Sequence, residues 1–421
     1  MSINLGDKIT VKNYPQKLML FDLSIRGHHP TYIRHLIEYW QIHKIPKNLE
    51  IVVSPRFIEA HHDVVELSQG DHHQDIRFVP ITQAEEEHLN SRKSRLKRLS
   101  RHFQEWEIFC KYATNLRPDH CLIMYFDTCQ IPLALGAKSP CTFSGIYFRP
   151  TFHYHQLANY DRTWKNYLQQ LREKIALKRI LANPQLQTIF CLDPFAVPQL
   201  NQFPKFPSQP KAVYLPDPVK LDNFKPIIID DWRKSLQIDS QRRVFLLFGA
   251  LTARKGIYQL LDSIASLPAD LCQKLCILLV GESSIANSLD SQITEICQTK
   301  PIQIIRYYQF VPESEVMAYF QIADVVLAPY QRHVGMSGIL LLAAAANKPV
   351  LCSNYGLMGE MVRRYHLGLT VDSSQPQEIA KGLIKFLEIP NPLEICDPVP
   401  MQNWVKQNSA SEFSRIIFEQ V

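Results

Sequence analysis

Val244-Phe245-Leu246-Leu247-Phe248-Gly249-Ala250-Leu251-Thr252-Ala253-Arg254-Lys255-Gly256 runs directly into a helical stretch, Ile257 to Ala265. Five consecutive apolar residues read as a strand buried on both faces, and a glycine-bounded turn then leads into the helix. Such a turn aims backbone N–H groups and the helix N-terminus at one edge of a sheet, an arrangement that suits an anion. Arg254 and Lys255 add fixed positive charge there. Arg-Lys-Gly is also common in solvated loops, but its place at a strand end turns the reading toward phosphate contact.

The same alternation continues downstream. Strands are expected at Leu275 to Val280, Ile302 to Ile305, Asp324 to Ala328, Pro349 to Cys352 and Leu369 to Val371. Helices are expected at Glu313 to Gln321, Leu340 to Ala346 and Pro376 to Leu387. Upstream lies a second series. Strands are expected at Lys17 to Leu23, Glu50 to Val53, Ile76 to Val79, Cys121 to Phe126, Thr142 to Tyr147, Thr188 to Cys191 and Lys211 to Leu215. Tyr32, Ile33, Leu36, Ile37 and Trp40 make a helical stripe, and Thr163 to Leu181 is a further, charged helix. Two βα runs imply an α/β protein of two doubly wound, Rossmann-like domains with a cleft at the carboxyl ends of their strands. The expected division is residues 1–218, residues 219–398, and a helical tail at residues 399–421 that crosses back to the first domain. Pro204, Pro207 and Pro210 stiffen the approach to a linker at Asp217 to Gln241.

The bulk properties agree. A chain of 421 residues, 46% apolar and 20% charged, is globular and long enough for two cores. No apolar run reaches the roughly 20 residues of a spanning helix. Met1 to Thr10 carries Asp7 and Lys8 and lacks a signal peptide's apolar centre. The expectation is a cytoplasmic protein with reduced thiols. The ten cysteines include no CxxC pair, Cys272 and Cys276 being the closest, so no metal site is expected. Asp230-Asp231, in the linker beside Trp232, reads as solvated acids rather than as metal ligands. The net charge of +6 leaves room for an anionic partner, and no nucleic acid is expected.

A basic helix precedes the fourth strand. Leu89, Leu96, Leu99, Phe103, Trp106, Cys110 and Ala113 fall at helical spacing, with Arg92, Lys93, Arg95, Lys97, Arg98 and Arg101 crowding the first half. One reading is a helix packed on the sheet with a solvated basic face. The other is peripheral contact of residues 92–101 with anionic lipid at the inner face of the membrane, or with an anionic acceptor.

Further loops fall at strand ends. Pro329 to Gly338 holds His333, Gly335, Ser337 and Gly338. Its glycines allow close backbone approach, and Ser337 is placed to cap the following helix. Gly281-Glu282-Ser283 and the loop Ser353 to Glu360 share that edge. In the first half, Arg26-Gly27-His28-His29-Pro30 follows the first strand. His28 or His29 is a candidate general base or a plain helix cap. Asp127 is a candidate acid or a turn cap, and Arg149 an anion contact or an ordinary ion-pair partner.

With those motifs in place, residues 244–387 resemble family-4 glycosyltransferases of the GT-B superfamily. There the first turn reads Gly-Arg-Leu and, three residues on, Lys-Gly. Here it is Gly249-Ala250-Leu251 and then Lys255-Gly256. The resemblance implies that Lys255 binds the donor diphosphate, with Arg254 standing in for the arginine replaced by Ala250. It places Phe310 and Val311 near the nucleotide base. The family's paired glutamates are absent, Val334 and Leu342 holding their places, and Glu360 lies near a later acidic position. Gly335, Ser337 and Gly338 are similar to the diphosphate loop of other GT-B enzymes, and His333 to the histidine of some nucleotide-sugar transferases. The resemblance implies metal-independent transfer of a sugar from a nucleotide-diphosphate sugar, a co-substrate rather than a cofactor, to a glycan, lipid-linked or small-molecule acceptor. Gly27 and Arg149 would hold the acceptor, and His28, His29 and Asp127 would serve the chemistry. A non-catalytic GT-B scaffold or partner of an active transferase, and an epimerase or hydrolase on the same fold, are the alternatives.

Overall fold

The computed structural model describes residues 16–69, 75–89, 94–157, 159–160, 162–203, 211–218 and 229–421. Met1 to Thr10, Arg92, Lys93, Pro204, Pro207, Pro210 and part of the expected linker lie outside these residues.

Runs of apolar residues too continuous for a half-solvated strand form two all-parallel sheets. The first contains β1 (Lys17–Asp22), β2 (Asn48–Val53), β3 (Ile76–Pro80), β4 (His120–Ile123), β5 (Thr142–Tyr147), β6 (Leu186–Cys191) and β7 (Lys211–Tyr214), in the order β3-β2-β1-β4-β5-β6-β7. The second contains β8 (Arg243–Phe248), β9 (Leu275–Val280), β10 (Gln303–Tyr307), β11 (Val325–Ala328), β12 (Val350–Ser353) and β13 (Gly368–Val371), in the order β10-β9-β8-β11-β12-β13. Every residue of β9 is buried, as a parallel sheet covered by helices on both faces requires.

The helices that matter below are α1 (His29–His43), α2 (Arg95–Leu116), α3 (Trp164–Ile180), α4 (Gly338–Ala345), α5 (Gly356–Arg364), α6 (Pro398–Gln407) and α7 (Ala410–Phe418). One face of the first sheet packs against α1 and α7, through Tyr32, Ile33, Leu36 and Phe413. The other packs against α2, α3 and the short helix Gln130–Ala134, through Trp106, Phe109, Leu133 and Leu177. Tyr154 and Leu157, just after β5, belong to the same apolar cluster as Leu340 and Met358 of the second half. The two halves therefore share packed surface.

The tail makes two separate attachments. Trp404 of α6 stacks on Tyr365 with ring centroids 4.8 Å apart. Phe413 of α7 meets Tyr32 at 4.8 Å, and the Ser414 hydroxyl donates to the carbonyl of His35 at 3.1 Å.

Three local expectations are corrected. The strand expected over Cys121 to Phe126 stops at Ile123, and Phe126–Thr128 turns as a 3-10 helix. The Phe126 ring lies where a Cβ on Gly145 would fall, so the turn packs on the one residue of β5 with no side chain. Leu89 is not in the basic helix. It is extended after the separate helix Gln83–His88, and α2 begins beyond Ser94, whose hydroxyl accepts from Lys97 N–H at 3.2 Å. The loop expected over Ser353 to Glu360 is largely α5, which starts at Gly356. All ten cysteines are free and most are buried. Among the described residues no helix is long and apolar enough to cross a membrane.

Candidate functional site

Strand order decides where ligands are received. In each sheet the chain reverses its direction of growth once, between β1 and β4 in the first and between β8 and β11 in the second. The crossovers diverge at such a point and leave a crevice at the carboxyl ends of the strands. The loop after β1 contains Gly27 and His28, and His29 opens α1. The loops after β8 and β11 contain Lys255 and His333. The motifs singled out in the sequence thus sit at the two switch points.

At the second switch point Gly256 takes a left-handed φ of 75°, and a Cβ there would lie 2.0 Å from the carbonyl oxygen of Pro329. Only glycine lets the two loops come this close. Gly249, with φ of 98°, leaves room for the Lys255 side chain, whose Nζ would stand 3.0 Å from a Cβ there. Lys255 is 5% exposed. Its ammonium donates to the carbonyl of Phe248 and to the hydroxyl of Tyr330, each at 2.6 Å. Neither partner is charged. Burial, reinforced by repulsion from Arg254, lowers the lysine from its ordinary 10.5 to about 7.

Tyr330 organises this corner. Its hydroxyl accepts from Lys255 and from the Ser337 hydroxyl at 3.3 Å. The Lys255 ammonium and the Arg254 guanidinium lie 4.6 and 5.5 Å from its ring centroid. Ser337 therefore does not cap α4 with its side chain, contrary to the sequence expectation. Gly338 is the first residue of that helix, and Gly335 lies beside the His333 ring. Arg254 Nη1 is 3.0 Å from His333 Nδ1, and His333 Nε2 is 3.2 Å from the carbonyl of Met336. Arginine can only donate, so Nδ1 accepts and Nε2 carries the proton given to Met336. Burial and repulsion from Arg254, Arg149 and Lys255 push His333 down to about 4, which keeps it neutral. Arg149 comes from the first half, so its charge is felt across the cleft.

The remaining expected donor residues are more dispersed. Glu282 is exposed beyond β9. Phe310 is 72% exposed, while Val311 is buried against the core. Glu360 lies on α5 and pairs with Arg363 at 2.9 Å. Val334 and Leu342 pack partly buried against the apolar core of the second half.

At the first switch point the two histidines separate. His28 is exposed and makes no capping hydrogen bond for α1. His29 places Nδ1 2.6 Å from Asp22 Oδ2. Its ring stacks on Phe148 at 5.8 Å and meets the edge of Tyr125 at 5.3 Å. Asp22 ends β1, is nearly fully buried, and fixes the ring's orientation. Asp127 is engaged otherwise. Its two oxygens accept the backbone N–H groups of Phe148 and Arg149 at 2.9 and 3.1 Å. Burial pushes it up to about 6 despite those bonds. The geometry gives Asp127 the role of holding the loop after β5, not that of a base in the cleft. A cavity of about 540 Å³ is lined by Gly27, His28, His29, Tyr125, Phe148 and Arg149, among others. Among the described residues no three His, Cys, Asp or Glu side chains cluster as metal ligands would.

Asp22 and Tyr330 were missed by sequence reasoning. An acid closing a buried strand and an aromatic directly after Pro329 were the available signals.

Two facing Rossmann-like domains with an anion-suited corner in the second are the architecture of GT-B glycosyltransferases. Residues 228–398 match the model of the family described as Glycosyl transferases group 1. A putative glycosyltransferase, YtcC of Bacillus subtilis (strain 168), is 24% identical over 195 residues, which are 44% of this chain and 47% of that protein. The match thus spans about half the length of that relative. Among solved structures, sucrose-phosphate synthase from Thermosynechococcus elongatus superposes over 96% of this chain and 98% of its own, with TM-score 0.67 and 16% identity. Anabaena Alr3699/HepE in complex with UDP-glucose does so over 96% and 98%, with TM-score 0.62 and 13% identity.

The lowered lysine has a measurable consequence. Between about pH 7 and 10.5 the unfolded chain binds a proton at this position that the folded chain does not. Burying Lys255 therefore destabilises the protein most below pH 7, and the cost fades as the pH rises toward 10.5. Urea unfolding of Lys255→Met beside the parent should show the variant's relative stability falling as pH rises from 7 to 9. An unchanged difference would mean the ammonium is not desolvated.

Proposed function

We propose that the protein transfers a sugar from a nucleotide-diphosphate sugar to an acceptor hydroxyl. The observation that carries this reading is the buried Lys255, held with Arg254 and the start of α4 at the carboxyl edge of the second sheet. A buried lysine whose charge has no counter-ion among the described residues gains most when a dianion arrives. HepE, whose structure holds UDP-glucose, supports the choice of donor class.

In this reading the bond between the sugar's anomeric carbon and the diphosphate oxygen breaks, and the electron pair leaves with the diphosphate. Lys255, Arg254 and the first N–H groups of α4 oppose that growing negative charge without requiring a metal. The acceptor oxygen forms the new bond to the anomeric carbon. His29 takes its proton on Nε2, while Asp22 on Nδ1 holds the ring and stabilises the imidazolium. Arg149 helps to hold the acceptor, and Asp127 fixes the loop that presents Arg149.

One observation favours a second reading. Val334 and Leu342 are packed against the core, so the second half has given carboxylate positions over to apolar contacts, as a non-catalytic scaffold can.

Contact with an anionic membrane rests on a different surface. Leu96, Leu99 and Phe103 of α2, Ile131 and Leu135, and Trp164, Tyr167, Leu168, Leu171 and Ile175 of α3 are exposed. Their helices cover the same face of the first sheet. Lys97 and Arg98 are exposed among them. Apolar side chains ringed by bases suit a peripheral protein lying on acidic headgroups.

Thermal melting with UDP, GDP and ADP and their sugars tests the donor site. One nucleotide should raise the melting temperature, and Lys255→Ala should abolish the shift. His29→Asn should keep that shift but lower kcat by roughly 10²- to 10⁴-fold. No shift with any nucleotide at millimolar concentration would favour the scaffold. In vesicle sedimentation, phosphatidylglycerol should retain the protein and phosphatidylcholine should not. Lys97→Gln with Arg98→Gln should weaken retention about 30-fold, at roughly 1 kcal/mol per base. Undiminished retention would exclude this face.

A further inference from the structure

We propose that Cys121 and Cys141 form an oxidation site, a pair of thiols that a peroxide joins into a reversible disulfide. Such a site lies beyond glycosyl transfer and stands whether or not the donor corner binds a nucleotide.

β4 and β5 are neighbours, with Cys121 opposite Phe143. Cys141 precedes Phe143 by two positions, so it falls on the same face of the sheet, the face covered by α2. The two sulfurs lie 3.2 Å apart, about 1 Å beyond bonding distance. Among the described residues no other two cysteine sulfurs share a hydrogen bond. Cys121 is held within β4, whereas Cys141 lies in the bend that enters β5. Its N–H donates to the Ser139 hydroxyl at 3.3 Å, and that hydroxyl donates to its carbonyl at 2.7 Å. A residue placed before the strand can close the gap without breaking the pairing of β4 with β5, which starts at Thr142.

The two thiols are unequal, as a peroxide-sensitive pair requires. Cys121 is completely buried and Cys141 half-buried. The S–H of Cys121, helped by Ser139, holds Cys141 below the ordinary thiol value, while burial pushes Cys121 well above it. Cys141 is therefore the thiolate that an oxidant meets, and Cys121 the protonated thiol behind it. A third thiol packs on the same cluster, Cys110 of α2. It is turned to the carbonyl of Lys138 at 3.7 Å, and burial raises it to about 11.

The Cys141 thiolate attacks one oxygen of hydrogen peroxide. The O–O bond breaks, and the departing hydroxide is protonated to water, leaving Cys141 as a sulfenic acid. The Cys121 sulfur then attacks the Cys141 sulfur. The S–S bond forms, the S–O bond breaks, and hydroxide leaves with the Cys121 proton as a second water. Two thiols give up two electrons, and the peroxide becomes two waters. The bond joins residues 20 apart in the chain. Between them lie Tyr125, whose ring meets His29, and Asp127, which holds the loop after β5.

Peptide mapping tests the pair directly. The folded parent is treated with a modest excess of hydrogen peroxide, unfolded in an alkylating reagent, digested and sequenced by mass spectrometry. Cys297, the one exposed cysteine, reports that the oxidant was active. The expected product is a disulfide joining Cys121 to Cys141, released by dithiothreitol, with Cys110 and Cys129 alkylated. In Cys121→Ala the reaction should stop at a sulfenic acid on Cys141, trapped by dimedone. In Cys141→Ala, Cys121 should stay reduced. The result on the parent stands even where a variant unfolds. Both thiols fully alkylated while Cys297 is oxidised, an oxidised Cys141 without the bond in the parent, or a bond from either thiol to a different cysteine would overturn the assignment.

Discussion

The second half is organised around a buried ammonium with no counter-charge. Lys255 reaches back to the end of β8 through the carbonyl of Phe248 and across to the end of β11 through Tyr330. It thereby ties together the two strands that flank the switch point. Two neutral hydrogen bonds do not repay the loss of an ammonium's hydration, which is why the lysine is held near 7. Gly249 and Gly256 make the contact sterically possible, and Arg254 adds the repulsion that sharpens it. The site is an incomplete ion pair, and in the proposed function the donor's diphosphate completes it.

The first half places its candidate residues by the same topological rule. At its switch point the buried acid is Asp22, already matched to His29, and arginines stand at the cavity mouth. In the proposed function one domain offers a proton acceptor and the other an anion clamp. The tail contributes to their placement. By packing α6 beside α4 and α7 on α1, the chain fastens the helix that starts at the anion corner and the helix that carries His29 to one continuous segment.

The strands were legible because parallel sheets demand unbroken apolar runs, and all thirteen arose from segments that read as strands. Lys255 and the Gly335 to Gly338 turn were legible because loop position at a strand end is a local property. What was illegible depends on partners far apart in sequence. Nothing local tells that Tyr330 receives Lys255, that Ser337 serves Tyr330 rather than its own helix, or that Asp22 chooses His29 over His28. Asp127 read as a candidate acid because its strand-end position was visible, while the two N–H groups that occupy it lie beyond β5. α5 was hidden by two glycines, Gly356 and Gly359, which count against a helix in sequence. In the fold Gly359 packs directly on the backbone of Asn354.

If Lys255 waits largely neutral above pH 7, a nucleotide diphosphate must bring a proton with it. Titration calorimetry at pH 8 in two buffers of different ionisation enthalpy measures that proton directly. The account predicts uptake approaching about one proton per nucleotide bound. Binding with the same enthalpy in both buffers would contradict it, because the lysine would then be charged before the ligand arrived.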